Sequence, residues 1–383
     1  MNKLVIFSLL VAVGAAVIIG YQAIPRELPS EKVYVAVEGD GIIAVINPAT
    51  NKVISKISLT VEHDGGILPY QPHNVQVAPD MQSVWVTANS GSHQGHAAKI
   101  TPSAYAHGEE EEAGDDSDEV IIIDPKTDRI VKRIPIDKGI HLAHIVLTPD
   151  SKIAIATAQT IGAIYKINTE TFEIEKKIFV PTTGPEKTPS EPHGLRVSPD
   201  GKTAYIANFG GKSLGILDIA SNALSIVPLG GKAVQAGVTA DGNYAVVSLY
   251  DTKRLAVYDT RDASLKMINL PEGSKGPIQM YATPDSRYVY LADQGYYSEQ
   301  PQGSLVYKID LERSAVVKEI TAGDAPHGVA LSHDGARVYV TNLLSGDLSV
   351  IDTASDTEIA KIRVGKEPNG VSVWSQIADG AQQ

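Results

Sequence analysis

No cysteine occurs among the 383 residues. That absence excludes structural disulfides, a thiolate nucleophile, Cys-ligated zinc, iron–sulfur clusters and covalently attached c-type haem. Any metal must therefore be held by His, carboxylate, amide or Met side chains. An excess of positive charge is also lacking, since 33 Lys and Arg stand against 45 Asp and Glu for a formal charge of −12. A chain of that sign repels phosphate backbones, and general nucleic-acid binding is not expected. What is present is a globular composition, 43% hydrophobic and 20% charged, which excludes disordered and collagen-like classes and suffices for a large core.

The longest apolar run is at the start. Met1 to Lys3 are followed by 17 residues, Leu4 to Gly20, interrupted only by Ser8. Residues 1–22 read as an export signal, either a cleaved signal peptide or an N-terminal membrane anchor. The stretch from Ile18 to Ala23 fits a small-residue cleavage site poorly, and 17 residues at 1.5 Å each reach about 26 Å, near the lower limit for spanning a bilayer. Both forms place the body outside the cytoplasm, in the periplasm or at the cell surface, with membrane contact only through this segment. Residues 23–30, with Pro25 and Pro29, read as a linker.

From residue 31 the chain repeats itself. A polar residue, an apolar strand and a turn recur as His73-Asn-Val-Gln-Val-Ala-Pro-Asp80, His144-Ile-Val-Leu-Thr-Pro-Asp150 and His193-Gly-Leu-Arg-Val-Ser-Pro-Asp200, then from Gln235 to Asp241, Gln279 to Asp285 and His327 to Asp334. A second strand follows each turn, as in Ala204 to Asn208 or Val338 to Asn342. Third and fourth strands are joined by turns such as Ile123-Asp-Pro-Lys-Thr127 and Ile351-Asp-Thr-Ala-Ser355, where the Asp side chain can bond the backbone two residues on. The turn aspartates lie 70, 50, 41, 44 and 49 residues apart, close to the length of about 40–50 residues for a four-stranded propeller blade. Six blades are visible directly. A further blade is split, with Val33 to Leu59 supplying three strands and Asn369 to Trp374 the missing first strand. The expected fold is all-β: a seven-bladed β-propeller of four-stranded blades over residues 31–376, its ring closed by N- and C-terminal strands sharing one blade, followed by a tail at 377–383.

Val338-Tyr-Val-Thr-Asn342, Ala204-Tyr-Ile-Ala-Asn208 and the Ser198-Pro-Asp-Gly201 turn resemble the YVTN-repeat β-propeller family over essentially the whole body. That family is similar to the d1-haem propeller of cytochrome cd1 nitrite reductases and, more distantly, to the copper propellers of nitrous oxide reductase and thiocyanate dehydrogenase. The resemblance implies the fold more strongly than any activity.

The first strand of each blade lies nearest the axis, so the seven openers His73, His144, His193, Gln235, Gln279, His327 and Asn369 are expected around one mouth of the central channel. Imidazoles are metal ligands and amides are ligand-binding groups. The ring therefore reads as a metal site at His73, His144, His193 and His327, joined by His141, His93 and His96, with Gln235, Gln279, Asn369 and the rim residue Tyr296 binding a ligand. Pro-His-Gly at 192–194 and 326–328 also reads as repeat grammar, its His bonding a neighbouring blade. Blades 3, 5 and 6 are one residue shorter between opener and Asp, which turns those side chains away unless a bulge compensates. Copper, or a d1 haem ligated by His193 or His327 as the resemblance implies, are the candidate cofactors.

The 70-residue interval carries a surplus at about residues 90–119, with His93-Gln-Gly-His96, His107 and two acidic runs. It reads as a solvated insertion or a metal-collecting lid; its spacing does not match an EF-hand. Gly211-Lys-Ser-Leu-Gly215 matches G-x-S-x-G but falls in a hairpin rather than a strand-to-helix elbow. The expected function is a monomeric extracytoplasmic propeller that binds a small ligand, metal ion or protein partner at the top face and central channel. The alternatives are a periplasmic redox enzyme holding copper or d1 haem and acting on a small nitrogen or sulfur compound, and a surface interaction or adhesion module.

Overall fold

The strands are short runs rich in β-branched and aromatic residues, and those near the axis are buried on both faces because each blade is sandwiched between two others. Val84–Ser90 and Leu142–Leu147 are buried at every position, whereas the outer strands Arg129–Pro135 and Ile174–Phe179 are largely exposed. In the computed structural model, which describes residues 28–63, 66–91, 116–182 and 189–376, these strands form seven four-stranded antiparallel sheets. Blade 2 runs Tyr70–Val77, Val84–Ser90, Glu119–Asp124, Arg129–Pro135 from axis to rim, and blades 3 to 7 repeat that order as far as Thr357–Arg363. Blade 1 is composite: Pro368–Ser375 from the C-terminal end is its innermost strand, paired with Glu31–Val37, then Ile42–Asn47 and Lys52–Ser58. A two-stranded hairpin, Val61–His63 with Gly66–Leu68, links blades 1 and 2.

The core is divided among the blade interfaces. Seven buried apolar clusters join neighbouring blades; one packs Trp85, Val120 and Ile122 of blade 2 against Leu142, Ile145 and Tyr165 of blade 3. Buried lysines tie adjacent blades as well. Lys32, 1% exposed, donates to Pro125 O and to both Asp128 oxygens at 2.8 and 2.9 Å, and Trp374 Nε1 donates to Met81 O. Removing any blade would thus expose two apolar faces.

The repeated turn works through a hydroxyl two residues before its aspartate. Thr148, Ser198 and Ser332 donate to Asp150, Asp200 and Asp334, and the backbone N–H two residues after each Asp donates to the same oxygen. These hydroxyl bonds hold the three carboxyls below the usual carboxylate range. A carboxyl whose folded pKa is depressed contributes stability that is present above its unfolded pKa and lost as pH falls through the folded one. Thermal stability should therefore fall below about pH 4, and a D150N/D200N/D334N protein should lose less over that range than its parent. Melting curves from pH 6 to 2.5 check this; parallel losses would remove the turns from the account.

Candidate axial metal site

The ring of openers depends on a β-bulge at the same place in every first strand. Six bulges begin at Pro72, Leu142, Pro192, Ala233, Pro277 and Pro326, each eight residues before its turn aspartate, and blade 1 has the same irregularity after Pro368. The length of strand is therefore constant. The opener instead occupies one of two bulge positions: the first residue after the anchor for His73, His193, His327 and Asn369, the second for His144, Gln235 and Gln279. This resolves the apparent shortfall in blades 3, 5 and 6. Where the first position is polar the second is Gly194, Gly328, Gly370 or Asn74; where the second is polar the first is Ala143, Val234 or Ile278. The bulge is fastened by hydroxyls of the second strand: Thr157 Oγ1 accepts from His144 N at 3.1 Å and donates to His193 O in the next blade at 2.6 Å.

The glycines are set by close approach. A Cβ on Gly328 would sit 2.3 Å from Asn369 O in the next blade and 3.0 Å from Thr341 Oγ1. Gly328→Ala should cost about 1–3 kcal/mol by overpacking, read as a lowered denaturant midpoint at unchanged m-value; an unaltered midpoint would show that the blades yield there.

His73, His144 and His193, from three consecutive blades, form one cluster whose ligand nitrogens all lie within 4.8 Å of one another. Ring centroids are 5.8 Å apart for His73–His144, 5.6 Å for His73–His193 and 4.9 Å for His144–His193. Burial, aided by the neighbouring imidazoles and Arg196, lowers the His144 pKa well below its ordinary value, so the ring is neutral and keeps a lone pair for a metal. Its Nε2 is buried and makes no hydrogen bond. In His193, Nδ1 lies 3.0 Å from Val234 O; a carbonyl only accepts, so Nδ1 carries the proton and Nε2 the lone pair. His73 Nδ1 lies 3.1 Å from Asn369 Nδ2, an N–H group that only donates, so Nδ1 accepts there and Nε2 carries the proton that a metal at Nε2 would displace; the buried Glu38 carboxylate stands 3.6 Å from Nδ1, beyond hydrogen-bond distance.

The other sequence candidates are placed as follows. His327 bonds Gln294 through Nδ1 at 2.8 Å; it acts electrostatically on His144 but stands outside the three-His cluster. His141, in a left-handed backbone conformation and tied through its N–H to Asp118, packs its ring 5.1 Å from His73. Gln235, Gln279 and Asn369 are all buried in the ring. Tyr296 is 42% exposed, whereas its neighbour Tyr297 is partly buried, hydrogen-bonded to Gln294 and close enough to Glu38 to feel its charge. His93, His96 and the acidic insertion lie outside the described residues, as do residues 1–27 and 377–383.

Sequence reading missed Glu38 and Gln294. Both hold one repeat position, the residue after the second-strand partner of the bulge anchor, occupied elsewhere by Asn89, Gln159, Phe209, Tyr250 and Leu343. Aligning the blades on their bulges rather than on their aspartates would have found it.

With the ring in place, relationships to other proteins can be weighed. The sequence matches the YNCE-like beta-propeller family over residues 113–379. The chain belongs to that family. Antigen Lp49 of Leptospira interrogans is 29% identical over 176 residues, 42% of this chain and 38% of that protein, so the chain spans well under half the length of this curated relative. Hydrazine synthase of Kuenenia stuttgartiensis superposes with a TM-score of 0.64 at 20% identity, over 88% of this chain and 99% of that one. The dihydro-heme d1 dehydrogenase NirN, solved with DHE, gives 0.57 at 14% identity over 88% and 64% of the two chains. At these identities the structural likenesses establish the propeller, and the YNCE-like site must be argued from its own residues.

Proposed function

We propose that this YNCE-like propeller is an extracytoplasmic protein that binds one late first-row transition ion, copper or zinc, through His73, His144 and His193, and presents it to a small ligand at the top face. The observation that carries this is the meeting of three imidazoles from three blades with their ligand nitrogens within 4.8 Å. The donor set fits such an ion: nitrogen only, His144 held neutral by burial, and His193 in the tautomer that leaves Nε2 its lone pair. A tetrahedral ion about 2.0–2.1 Å from each nitrogen sets them roughly 3.3 Å apart, so the imidazoles turn slightly inwards on loading. Three ligands leave a fourth position for an exogenous molecule, as in catalytic rather than structural sites. Three imidazoles so close together suit an ion better than a d1 macrocycle, which needs one axial ligand and a clear face.

The test is equilibrium dialysis of the full chain against zinc or cuprous ion, beside a His73→Gln/His144→Gln/His193→Gln protein. One equivalent bound by the parent and absent from the triple variant is expected. An equal content in both would place the metal elsewhere, for instance at His93 and His96, and overturn the axial site.

A further inference from the structure

Three buried amide oxygens around the ring make no hydrogen bond: Gln235 Oε1, Gln294 Oε1 and Asn369 Oδ1. Their side chains are 4%, 0% and 0% exposed. Each stands beside a ring imidazole. Gln235 Nε2 donates to Ala236 O at 2.9 Å and to Leu195 O at 3.5 Å, and carbonyls only accept, so its oxygen is the remaining atom; that oxygen lies 2.0 Å from where a Cβ on Gly194, the residue after His193, would be. Asn369 Nδ2 donates to Glu38 Oε2 at 2.8 Å and lies 3.1 Å from His73 Nδ1, which orients its oxygen in the same way. Gln294 Nε2 is 2.8 Å from His327 Nδ1. Gln279 Nε2, also buried, is the one donor in the ring's amide set without a hydrogen bond.

Buried acceptors without donors are costly, and three of them on one ring call for a ligand rich in N–H or O–H groups. Resting on the metal reading above, we infer that these oxygens form a subsite for a small neutral nitrogen base, a molecule with one lone pair for the ion and two or three N–H groups for Gln235, Gln294 and Asn369. An anion is disfavoured by the three carbonyl dipoles and the Glu38 carboxylate. A cation lacks the lone pair and is repelled by the bound ion. Burial of the ring restricts the ligand to a few heavy atoms.

The probes are ammonia and methylamine, titrated against azide into the full chain loaded with cobalt(II), whose visible bands report a change of fourth ligand. The amines should bind at least ten-fold more tightly than azide at equal concentrations of the binding form. Gln235→Met and Gln294→Met, which keep the volume, should each weaken amine binding ten-fold or more while cobalt affinity stays within two-fold. Azide binding as tightly as the amines, or amine affinity unchanged in both variants, overturns the subsite and leaves the metal site standing. A chain that takes up no cobalt overturns the metal reading and this inference with it.

Discussion

Deleting residues 368–383 should leave a chain that does not fold cooperatively. Pro368–Ser375 is the innermost strand of blade 1, paired with Glu31–Val37 along six register positions from Glu31–Ser375 to Val37–Pro368. It also packs Val371 into the cluster between blades 7 and 1 and Trp374 into that between blades 1 and 2. Its loss opens two interfaces and exposes a strand edge, in a fold whose core consists of such interfaces, and domains have only about 5–15 kcal/mol in reserve. The expected result is loss of the cooperative denaturation transition, with dye-accessible apolar surface. The control is a circular permutant. Gln376 N donates to Ser30 O at 2.9 Å, so the two ends already meet as in a hairpin; moving residues 366–376 ahead of Ser30 through a short Asn-Gly-type turn should restore the transition. Failure of the permutant, or folding of the truncated chain, would refute closure through blade 1.

His144→Ala should abolish tight metal binding, lowering affinity by more than the roughly 10–100-fold typical of groups behind the ligands. His144 has no hydrogen bond at Nε2 and is kept neutral by its surroundings. Its removal takes away one of three ligands and an unsatisfied buried atom together, so the metal-free variant should stay within about 1–2 kcal/mol of the parent, the lost packing being offset in part. Melting with and without zinc separates the effects: the parent should gain stability with the ion, as any ligand bound only by the folded state confers, and the variant should not. Equal zinc stabilisation in both proteins would remove His144 from the site.

The fold was legible because its repeat is carried by turn chemistry. The Asp at 80, 150, 200, 241, 285 and 334 marks one hairpin per blade, and the split blade followed from three strands lacking a first strand at one end of the body and a lone first strand at the other. The site was legible only in part. The seven openers were found, but aspartate spacing measures distance from the wrong landmark: a bulge lets His144 at the second position and His193 at the first share one cluster. Nor does sequence show that three consecutive blades bring their imidazoles together while His327, in an equivalent Pro-His-Gly, bonds Gln294 instead. Glu38 escaped notice because it follows the second-position strand of a composite blade, in a short 3₁₀ turn at Glu38–Asp40 with no repeat motif of its own.

The most direct measurement is X-ray absorption at the metal edge of the zinc- or copper-loaded full chain, with His144→Ala as reference. The account predicts three imidazole nitrogens at about 2.0–2.1 Å plus one light exogenous ligand, reduced to a weaker or scattered shell in the variant. A spectrum with fewer than three imidazoles, or one identical in both proteins, would contradict it.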